Sequence, residues 1–336
     1  MEEKRNFDLL TLGQVLLRLS PPNNDRLVRG DTFVKQVGGA ELNVAVGVAL
    51  LGLRTGVISK LPSHDMGSFM KGKIRSYGVS DDFFMYDDSP SARVGIYYYE
   101  NGAYPRKPKV IYDRANSSFY SLKIDEIPEK AYTASRCFHT SGITLALSPK
   151  VRETTIEMIK RFKAAGTLVS FDVNFRGNLW TGEEAKECIE QILPYVDIFF
   201  CSEDTARLTF KKTGTAREMM KSFTEEYPIS IVASTQRIVH SPKSHTFGSI
   251  IYDARKDIYY EEEPYRDIDV VDRIGSGDAY ISGALYGLLT SDFDCEKAVR
   301  YGNATSAVKN TIPGDLPSSD LDEIETIIKA HNQTGF

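Results

Sequence analysis

A short run of small residues followed by an acid, near the C-terminal end of the chain, has the residue types and spacing that phosphoryl transfer would need. Residues 275–278 read Gly-Ser-Gly-Asp, and apolar residues at helical spacing follow as far as Leu289. The pattern predicts a tight turn that begins a buried helix. Backbone amides at a helix N-terminus have no partner within the helix, so they can bind phosphate oxygens. A carboxylate at this place would repel phosphate unless it accepts the proton of an attacking hydroxyl. The alternative is that these residues only begin a core helix.

The residues around this turn resemble the C-terminal signature of a known enzyme family. The heptapeptide that begins at Asp272 reads Asp-Arg-Ile-Gly-Ser-Gly-Asp, and it is similar to the Asp-Thr-x-Gly-Ala-Gly-Asp signature of the ribokinase-like (PfkB-type) carbohydrate kinases. Arg273 stands where the signature has threonine, and in this the chain resembles the branch of the family that phosphorylates 2-keto-3-deoxygluconate. The resemblance implies that Asp278 is the general base, and that the amides of an anion hole belong to Gly275, Ser276 and Gly277. It also implies a site for a monovalent cation such as K⁺, formed by backbone oxygens of Asp272 and Ile274.

A second candidate site lies nearer the N-terminus, where two glycines precede a helical pattern. Gly38 and Gly39 are followed by apolar residues at helical spacing from Glu41 to Leu51. Without side chains, this backbone could lie against a substrate whose hydroxyls hydrogen-bond to Asn43. Close packing of a strand and a helix would also explain the glycines. The run Gly-Gly-Ala-Glu-Leu-Asn resembles the sugar-site signature of the same family, which favours the substrate interpretation.

A carboxylate-binding element is indicated between residues 91 and 118, where two strand-like runs follow each other without an intervening helix. Residues 112–118 read Tyr-Asp-Arg-Ala-Asn-Ser-Ser and resemble the Tyr-x-Arg-x-x-Ser element of 2-keto-3-deoxygluconate kinases. A guanidinium matches a carboxylate with two parallel hydrogen bonds. The resemblance therefore implies that the acid end of the substrate is lined by Tyr97, Tyr112 and Arg114. For any single tyrosine, cross-strand packing is the alternative explanation.

Polar residues follow a buried strand in the middle of the chain. Asp172, Asn174 and Arg176 come after an apolar run at residues 168–171, and open α/β sheets bind ligands beyond the carboxyl ends of their strands. Residues 171–180 are similar to the family's Asp-x-Asn-x-Arg-x-x-Leu-Trp run. The resemblance implies that Arg176 reaches the substrate or the transferred phosphate. Ordinary loop surface is the alternative.

Two later segments are candidates for nucleotide binding. A strand-like run ends at Thr235, and Arg237 follows it. This Thr-x-Arg pattern resembles the ketodeoxygluconate branch, in which it stands where other members carry a glycine-rich turn against the ATP phosphates. Asn303 and Ala307 lie in a helical run at residues 295–311 whose small side chains would leave room for an adenine. Close packing between helices explains small residues as well.

The metal motif of the family is altered in this chain. Ser202 and Thr205 stand where the family has Asn-x-x-Glu, and the acids between them, Glu203 and Asp204, are the remaining candidate ligands. Acids at a helix N-terminus are also explained by the helix dipole. The resemblance implies ATP and Mg²⁺ as cofactors, with the Mg²⁺ held mainly by the nucleotide phosphates and water.

Composition excludes several classes of function. A chain of 336 residues, 41% of them hydrophobic, can bury a large core, and a net charge of −5 gives no electrostatic case for nucleic acid. No apolar run approaches the ~20 residues of a membrane span, and residues 1–6 lack an apolar signal core, so we expect a cytoplasmic protein with no membrane partner. The four cysteines show no Cys-x-x-Cys spacing, so we expect buried free thiols.

Segments with strand and helix periodicity alternate along most of the chain, which predicts parallel βαβ units. Residues 8–19 are expected to form a buried strand and then a half-buried one, and the polar stretch at 236–245 is expected to form a loop. The resemblance covers nearly the whole chain. It implies one α/β domain over residues 1–336, with the ribokinase-like three-layer fold, a mostly parallel central sheet and a small β-sheet lid. Lid strands are expected within about residues 14–37 and 90–119, and a homo-oligomer, dimer or higher, is expected to form through the lid.

The sequence therefore predicts an ATP-dependent kinase for a small sugar acid, with 2-keto-3-deoxygluconate phosphorylated on its C6 hydroxyl. Two alternatives stay open. One is a kinase of the same fold that acts on fructose, ribose or another keto sugar acid. The other is a sugar-binding regulator without catalytic activity, which the altered metal motif would allow.

Overall fold

A mostly parallel sheet forms the centre of the molecule. The structure, a computed structural model, describes residues 5–334; residues 1–4, on which the cytoplasmic expectation partly rests, lie outside this range. The parallel strands, in chain order, are β1 (Phe7–Leu12), β4 (Thr55–Pro62), β5 (Phe84–Asp87), β8 (Ser135–Ser141), β9 (Leu168–Asp172), β10 (Ile198–Phe200) and β11 (Ile231–Ser241). Their order across the sheet is β11-β10-β9-β8-β1-β4-β5.

Helices cover both faces of this sheet, because its strands are apolar on both sides. On β1, Leu10 belongs to one buried cluster and its neighbour Leu9 to another on the opposite face. The first cluster is covered by α5 (Pro149–Ala164), α6 (Gly182–Glu190) and α8 (Ala216–Glu226). The second is covered by α1 (Ala40–Leu50), α9 (Ser276–Leu289) and α10 (Cys295–Asn310). This is the predicted three-layer α/β arrangement, and continuous apolar strands are typical of parallel sheets buried on both faces.

The remaining helices are shorter or lie at the margins of these layers. They are α2 (Asp65–Ser76), α3 (Lys130–Thr133), α4 (Gly142–Ala146), α7 (Glu203–Leu208) and α11 (Leu321–Thr334). Within residues 5–334, no helix is both long and apolar enough to cross a membrane. The four cysteines are buried free thiols, as expected.

A second, four-stranded sheet lies beside the main one. Its strands are β2 (Leu16–Ser20), β3 (Val34–Gly38), β6 (Gly95–Glu100) and β7 (Lys109–Asp113), in the order β3-β2-β6-β7. They lie in the two segments expected to form the lid, except that β3 runs one residue further. The pair β2–β6 is parallel and the other two pairs are antiparallel.

Two expectations about strands are corrected by the structure. The strand β2 is not half-buried, because Leu17 faces a buried cluster while Leu16 and Arg18 on its other face are also enclosed. The stretch at 236–245 is not a loop. It continues β11 and pairs with β12 (Ser244–Asp253) in an antiparallel hairpin, and the polar residues of β11 that suggested a loop are exposed on it. Two further strands, β13 (Ile258–Glu261) and β14 (Tyr265–Asp269), pair with β12.

A buried arginine joins the small sheet to the C-terminal part of the chain. Arg18 on β2 is 2% exposed. Its Nη2 donates to Asp272 Oδ2 at 2.6 Å, and its Nη1 donates to Asp315 Oδ1 at 2.8 Å. Burial alone would lower the pKa of Arg18, but Asp315 and Asp272 raise it above its ordinary value, so the guanidinium stays charged.

We expect Arg18→Met to lower the free energy of unfolding by about 3 to 5 kcal/mol, because it leaves two buried carboxylates without their cation. Urea denaturation measures this loss. The matched control is Arg29→Met, which removes a guanidinium that is 78% exposed and paired with Asp25; such surface pairs contribute little, so no measurable change is expected. Equal stability of the Arg18→Met variant and the unchanged chain would contradict the structural role of this ion network.

Candidate active site

A cavity of about 620 Å³ opens between the carboxyl ends of the parallel strands and the small sheet. Most of the residues singled out in the sequence lie on its wall, although they come from segments far apart in the chain. These residues are Gly39, Asn43, Tyr97, Tyr112, Arg114, Arg176, Asp204, Thr235, Arg237, Ile274, Gly275, Ser276, Gly277 and Asp278. The candidates that do not line it are Gly38, Glu203, Asp272, Asn303 and Ala307.

The turn before α9 presents open backbone amides to this cavity. Gly275 has a left-handed φ of 81°, and a Cβ there would stand 2.1 Å from the carbonyl oxygen of Asp315, so only glycine fits. A Cβ on Gly277 would meet nothing within 4 Å. Within residues 5–334, the amides of Gly275 and Gly277 donate to no acceptor, whereas the Ser276 amide donates to the Arg273 carbonyl at 3.2 Å. Unpaired amides at the positive end of a helix bind anions.

Asp278 follows in the first turn of α9 and faces the same space. Asn43 Nδ2 donates to its Oδ2 at 2.7 Å, so Asn43 orients this carboxylate, a contact that was not anticipated. Burial raises the pKa of Asp278 to about 7, and Glu41 and Asp315 add to the rise, while Asn43 and Arg176 oppose it. A carboxylate with a pKa near neutrality is suited to accept a proton from a hydroxyl.

Further acids surround Asp278. Asp172, at the carboxyl end of β9, has its pKa raised to about 7 by burial and by the charge of Asp278. Glu41 is buried in the first turn of α1, where it accepts hydrogen bonds from the Ser141 hydroxyl at 2.6 Å and the Thr144 hydroxyl at 2.7 Å. Burial raises the pKa of Glu41 as well. The charge of Glu41 raises the pKa of both aspartates, so the titrations of these acids are linked.

Arginines line the rest of the cavity. They are Arg114, Arg176, Arg237 and Arg273, and none of the four has a carboxylate within ion-pairing distance in the described part of the chain. Arg114 is the most enclosed: its Nε donates to Gln14 Oε1 at 2.8 Å, and burial lowers its pKa. The site thus combines a group of acids with cations that pair with no carboxylate of residues 5–334.

The small sheet forms one wall of the cavity, with the three residues that were expected to lie at the acid end of a substrate. The ring of Tyr112 lies 5.8 Å from that of Tyr97, and the Arg114 guanidinium lies 5.6 Å from the Tyr112 ring centroid. The Tyr97 hydroxyl is already engaged, since it donates to Asp315 at 2.5 Å. Gly38 does not line the cavity, and a Cβ on it would stand 2.1 Å from Asp315 Oδ2. The missing side chain therefore leaves room for Asp315 rather than for a ligand.

The candidates for nucleotide binding separate into two groups. Thr235 and Arg237 lie on the cavity side of β11. Asn303 and Ala307 are buried in α10, and the Asn303 side chain accepts a hydrogen bond from the Ser249 hydroxyl at 2.7 Å and donates to Glu262 at 3.1 Å. Their predicted contact with adenine is not supported by this placement, because packing and internal hydrogen bonds use these side chains.

Metal candidates are few. Within residues 5–334, no three His, Cys, Asp or Glu side chains come together as a metal site. Asp204 lines the cavity, but Glu203 pairs with Arg207 at 2.8 Å. One carboxylate fits a Mg²⁺ ion that keeps most of its ligands as phosphate oxygens and water. Asp272 is buried, and its carboxylate accepts from Arg18, from the Ile274 amide at 3.0 Å and from the Gly314 amide at 3.1 Å.

Several residues of the site were missed in the sequence. Glu41 stands inside the Gly-Gly-Ala-Glu-Leu-Asn run, so its position could have been noticed. Asp315 was not singled out in the sequence, yet it lines the cavity and accepts hydrogen bonds from Tyr97 and Arg18. Arg18 had no local signal, because the two carboxylates that it pairs with lie 254 and 297 residues away in the chain.

Comparison with known proteins identifies the family. The model of the pfkB family of carbohydrate kinases matches residues 6–320. The chain belongs to this family. A 2-dehydro-3-deoxygalactonokinase of Haloferax volcanii is 34% identical to it over 322 residues, which cover 96% of each chain. A 5-dehydro-2-deoxygluconokinase of Listeria monocytogenes is 28% identical and covers 97% of each.

A solved structure agrees with the fold. The crystal structure of a 2-dehydro-3-deoxygluconokinase from Thermotoga maritima matches this pfkB family kinase with a TM-score of 0.90 at 31% identity, covering 96% of this chain and 99% of that one. The predicted ribokinase-like fold is therefore confirmed, and so is the enzyme class: a phosphotransferase that acts on a sugar hydroxyl.

The raised pKa values of the acid group predict a pH dependence. As the base of a kinase reaction, Asp278 would have to lose its proton first, and burial raises its pKa to about 7. We therefore expect kcat/KM to rise with pH through this value and to level off above it. Asp172→Asn removes a like charge from the group and should shift the rise to lower pH.

The control for this experiment is Asp88→Asn, which changes an exposed aspartate outside the cavity and should leave the profile in place. The profiles of the unchanged chain and the two variants are obtained from initial rates measured at saturating ATP and at a series of pH values around neutrality. A profile that is flat through neutrality in the unchanged chain would refute the assignment of a base with a pKa near 7.

Proposed function

We propose that this kinase transfers the γ-phosphoryl group of ATP to the C6 hydroxyl of a 2-keto-3-deoxy sugar acid, with 2-keto-3-deoxygluconate (2-dehydro-3-deoxygluconate) as the first candidate. The observation that carries the proposal is the enclosed guanidinium of Arg114. Its one hydrogen bond from a side-chain atom goes to a neutral partner, Gln14, and within residues 5–334 no carboxylate pairs with it. A desolvated cation without an anion is unfavourable, so a carboxylate on the substrate would complete this part of the site.

The relatives support a keto acid and add a second candidate. The Haloferax volcanii protein is named for a 2-dehydro-3-deoxygalactonate substrate and the Thermotoga maritima protein for 2-dehydro-3-deoxygluconate. These two compounds differ in the configuration of one hydroxyl-bearing carbon and share the keto acid end. The contact of Arg114 and Tyr112 with a carboxylate would serve either, so the choice between them has to come from the assay.

Each part of the cavity has a role in the proposed reaction. Asp278 accepts the proton of the C6 hydroxyl while that oxygen attacks the γ-phosphorus and the bond to the ADP oxygen breaks. The open amides of Gly275 and Gly277 hydrogen-bond to the transferred phosphoryl group as charge builds on its oxygens. Asn43 holds the Asp278 carboxylate in place, and Arg176 lies where it offsets negative charge beside it.

ATP would occupy the other end of the cavity. Thr235 and Arg237 on β11, together with Arg273, face this region, and a guanidinium beside polyphosphate is favourable. Mg²⁺ would neutralise charge on the phosphates, and among the metal candidates Asp204, which lines the cavity, would help to hold it.

The kinase is further proposed to form a dimer through its small sheet. Side chains alternate across β7, so Ile111 faces away from the cavity that Tyr112 lines. Ile111 is 44% exposed, and beside it Tyr98 lies 5.9 Å, ring to ring, from the exposed Phe33. An apolar patch on the outer face of a lid fits a second copy of the chain better than it fits water.

The substrate assignment predicts a defined pattern of turnover. ATP-dependent ADP release should occur with 2-keto-3-deoxygluconate or its 2-keto-3-deoxygalactonate epimer, and not with gluconate, fructose or ribose. Asp278→Asn should lower kcat by about 100- to 10,000-fold, the usual range for loss of a general base. Arg114→Leu should lower kcat/KM for the acid by about 100-fold, because the substrate carboxylate loses its partner in a desolvated site.

The matched control is Arg93→Leu, which removes a neighbouring guanidinium that pairs with Asp113 at 2.7 Å and does not line the cavity; its kinetics should be unchanged. Turnover of fructose or ribose would overturn the proposed role of Arg114. Sugar-acid binding by calorimetry without turnover on any compound would instead support the regulator alternative.

The dimer is tested by light scattering after size-exclusion chromatography. We expect a dimer for the unchanged chain and a monomer for Ile111→Glu, since a buried charge in the contact is unfavourable. Leu208→Glu, at another apolar side chain that is 67% exposed, should remain a dimer. A monomeric unchanged chain would exclude this assembly.

A further inference from the structure

A buried lysine lies beneath the turn that begins α9. Lys309 is in the last turn of α10 and is 1% exposed. Its Nζ donates to the carbonyl oxygen of Asp272 at 3.2 Å and to that of Ile312 at 3.1 Å. An ammonium held by main-chain carbonyls inside a protein has the charge and the type of ligand that a bound alkali cation would have.

The two carbonyls belong to the segments that shape the anion turn. Asp272 lies three residues before Gly275, and its amide donates to the Asn310 carbonyl at 3.2 Å. Ile312 begins the loop that leads to Asp315, whose carbonyl oxygen contacts Gly275. The Lys309 ammonium therefore links the segment that precedes the open amides, at Asp272, to the loop that packs against Gly275, at Ile312.

Two buried cations, Arg18 and Lys309, lie with the two buried carboxylates of Asp272 and Asp315. Asp278, whose pKa burial raises to about 7, is a further acid that acts on Lys309. Burial lowers the pKa of Lys309, while Asp272 and Asp315 raise it. A second cation on the Asp272 carbonyl would stand beside the ammonium, and repulsion between like charges is strong at low dielectric.

Of the two backbone oxygens expected to bind K⁺, that of Asp272 accepts from the Lys309 ammonium instead, so a free ion at this oxygen does not fit. We propose that the Lys309 ammonium replaces a monovalent cation as the positioning group for the anion turn, so that phosphoryl transfer by this kinase needs no K⁺. The inference rests on the proposed role of the amides of Gly275 and Gly277. Lys309 touches neither substrate nor phosphate in it, and acts by holding the backbone that does.

The test compares cation dependence in the unchanged chain and in two variants. Steady-state rates are measured with the sugar acid that the enzyme turns over, at equal ionic strength in potassium chloride, ammonium chloride or choline chloride. The unchanged chain should have the same kcat in all three salts. Lys309→Ala should lose about 10- to 100-fold in kcat in choline, the order of loss expected when catalytic groups are slightly misplaced, and should recover part of it in potassium or ammonium, which can enter the vacated space.

Lys309→Met separates loss of charge from loss of packing. Its side chain has nearly the length of lysine and fills the space, so kcat should fall in every salt without recovery. Lys297→Ala is the control, because Lys297 lies at the other end of α10, where its Nζ donates to the Thr290 hydroxyl; it should behave as the unchanged chain. A requirement for K⁺ in the unchanged chain, or full activity of Lys309→Met in choline, would overturn the proposal.

Melting temperature gives a readout that does not depend on turnover. Potassium should raise the melting temperature of Lys309→Ala relative to choline, since an ion that binds only the folded state stabilises it, and it should not affect the unchanged chain. If no sugar acid is phosphorylated, the substrate proposal fails while this comparison still decides the inference: a Lys309→Ala variant whose melting temperature is insensitive to potassium argues against it.

Discussion

The rest of the site depends on the backbone amides at the start of α9 that have no acceptor among residues 5–334. Such amides bind an anion only if the chain before them is held open, because a relaxed turn would pair them internally. Here the left-handed Gly275 sets the turn, and the buried charges of Asp272, Asp315, Arg18 and Lys309 hold the segments around it. Because Arg18 belongs to β2, the same ion network that shapes the turn also docks the small sheet over the cavity.

The cavity keeps its acids and its arginines unpaired with each other, which is unusual in a folded protein. Asp278, Asp172 and Glu41 are held by neutral groups such as the Asn43 amide and the Ser141 and Thr144 hydroxyls. The arginines lie on the other walls, and in the described part of the chain the partners of Arg114 and Arg176 are neutral. If an arginine paired with Asp278, the pKa of Asp278 would be lower and its carboxylate would be a weaker base. Separation of the two sets therefore leaves the acids basic and the cations free for anionic ligands.

Local patterns in the sequence were sufficient to predict most of the fold. They were also sufficient to predict the cavity residues that belong to recognisable motifs. The helices α1 and α9 and their preceding glycines could be predicted because apolar period and turn residues agree there. The hairpin of β11 and β12 could not, since its strand residues at 236–241 are polar and exposed. Arg18, Asp315 and Lys309 could not be assigned either. The role of each depends on partners that are distant in sequence or on a contact with a backbone carbonyl. Contacts of these two kinds produce no pattern among neighbouring residues.

Function and stability place opposite demands on the acid group. In the unfolded chain an aspartate has a pKa of about 3.9, whereas in the folded protein the pKa values of Asp172 and Asp278 are about 7. The folded state therefore binds protons more tightly, and the stability that this difference contributes is complete below the unfolded pKa and is lost as pH rises through 7. The proposed reaction needs Asp278 in the charged form that the fold disfavours. A buried carboxylate that must be charged near neutral pH therefore lowers the stability of the protein. The ion network and the packing around α9 must offset this cost when no substrate is bound.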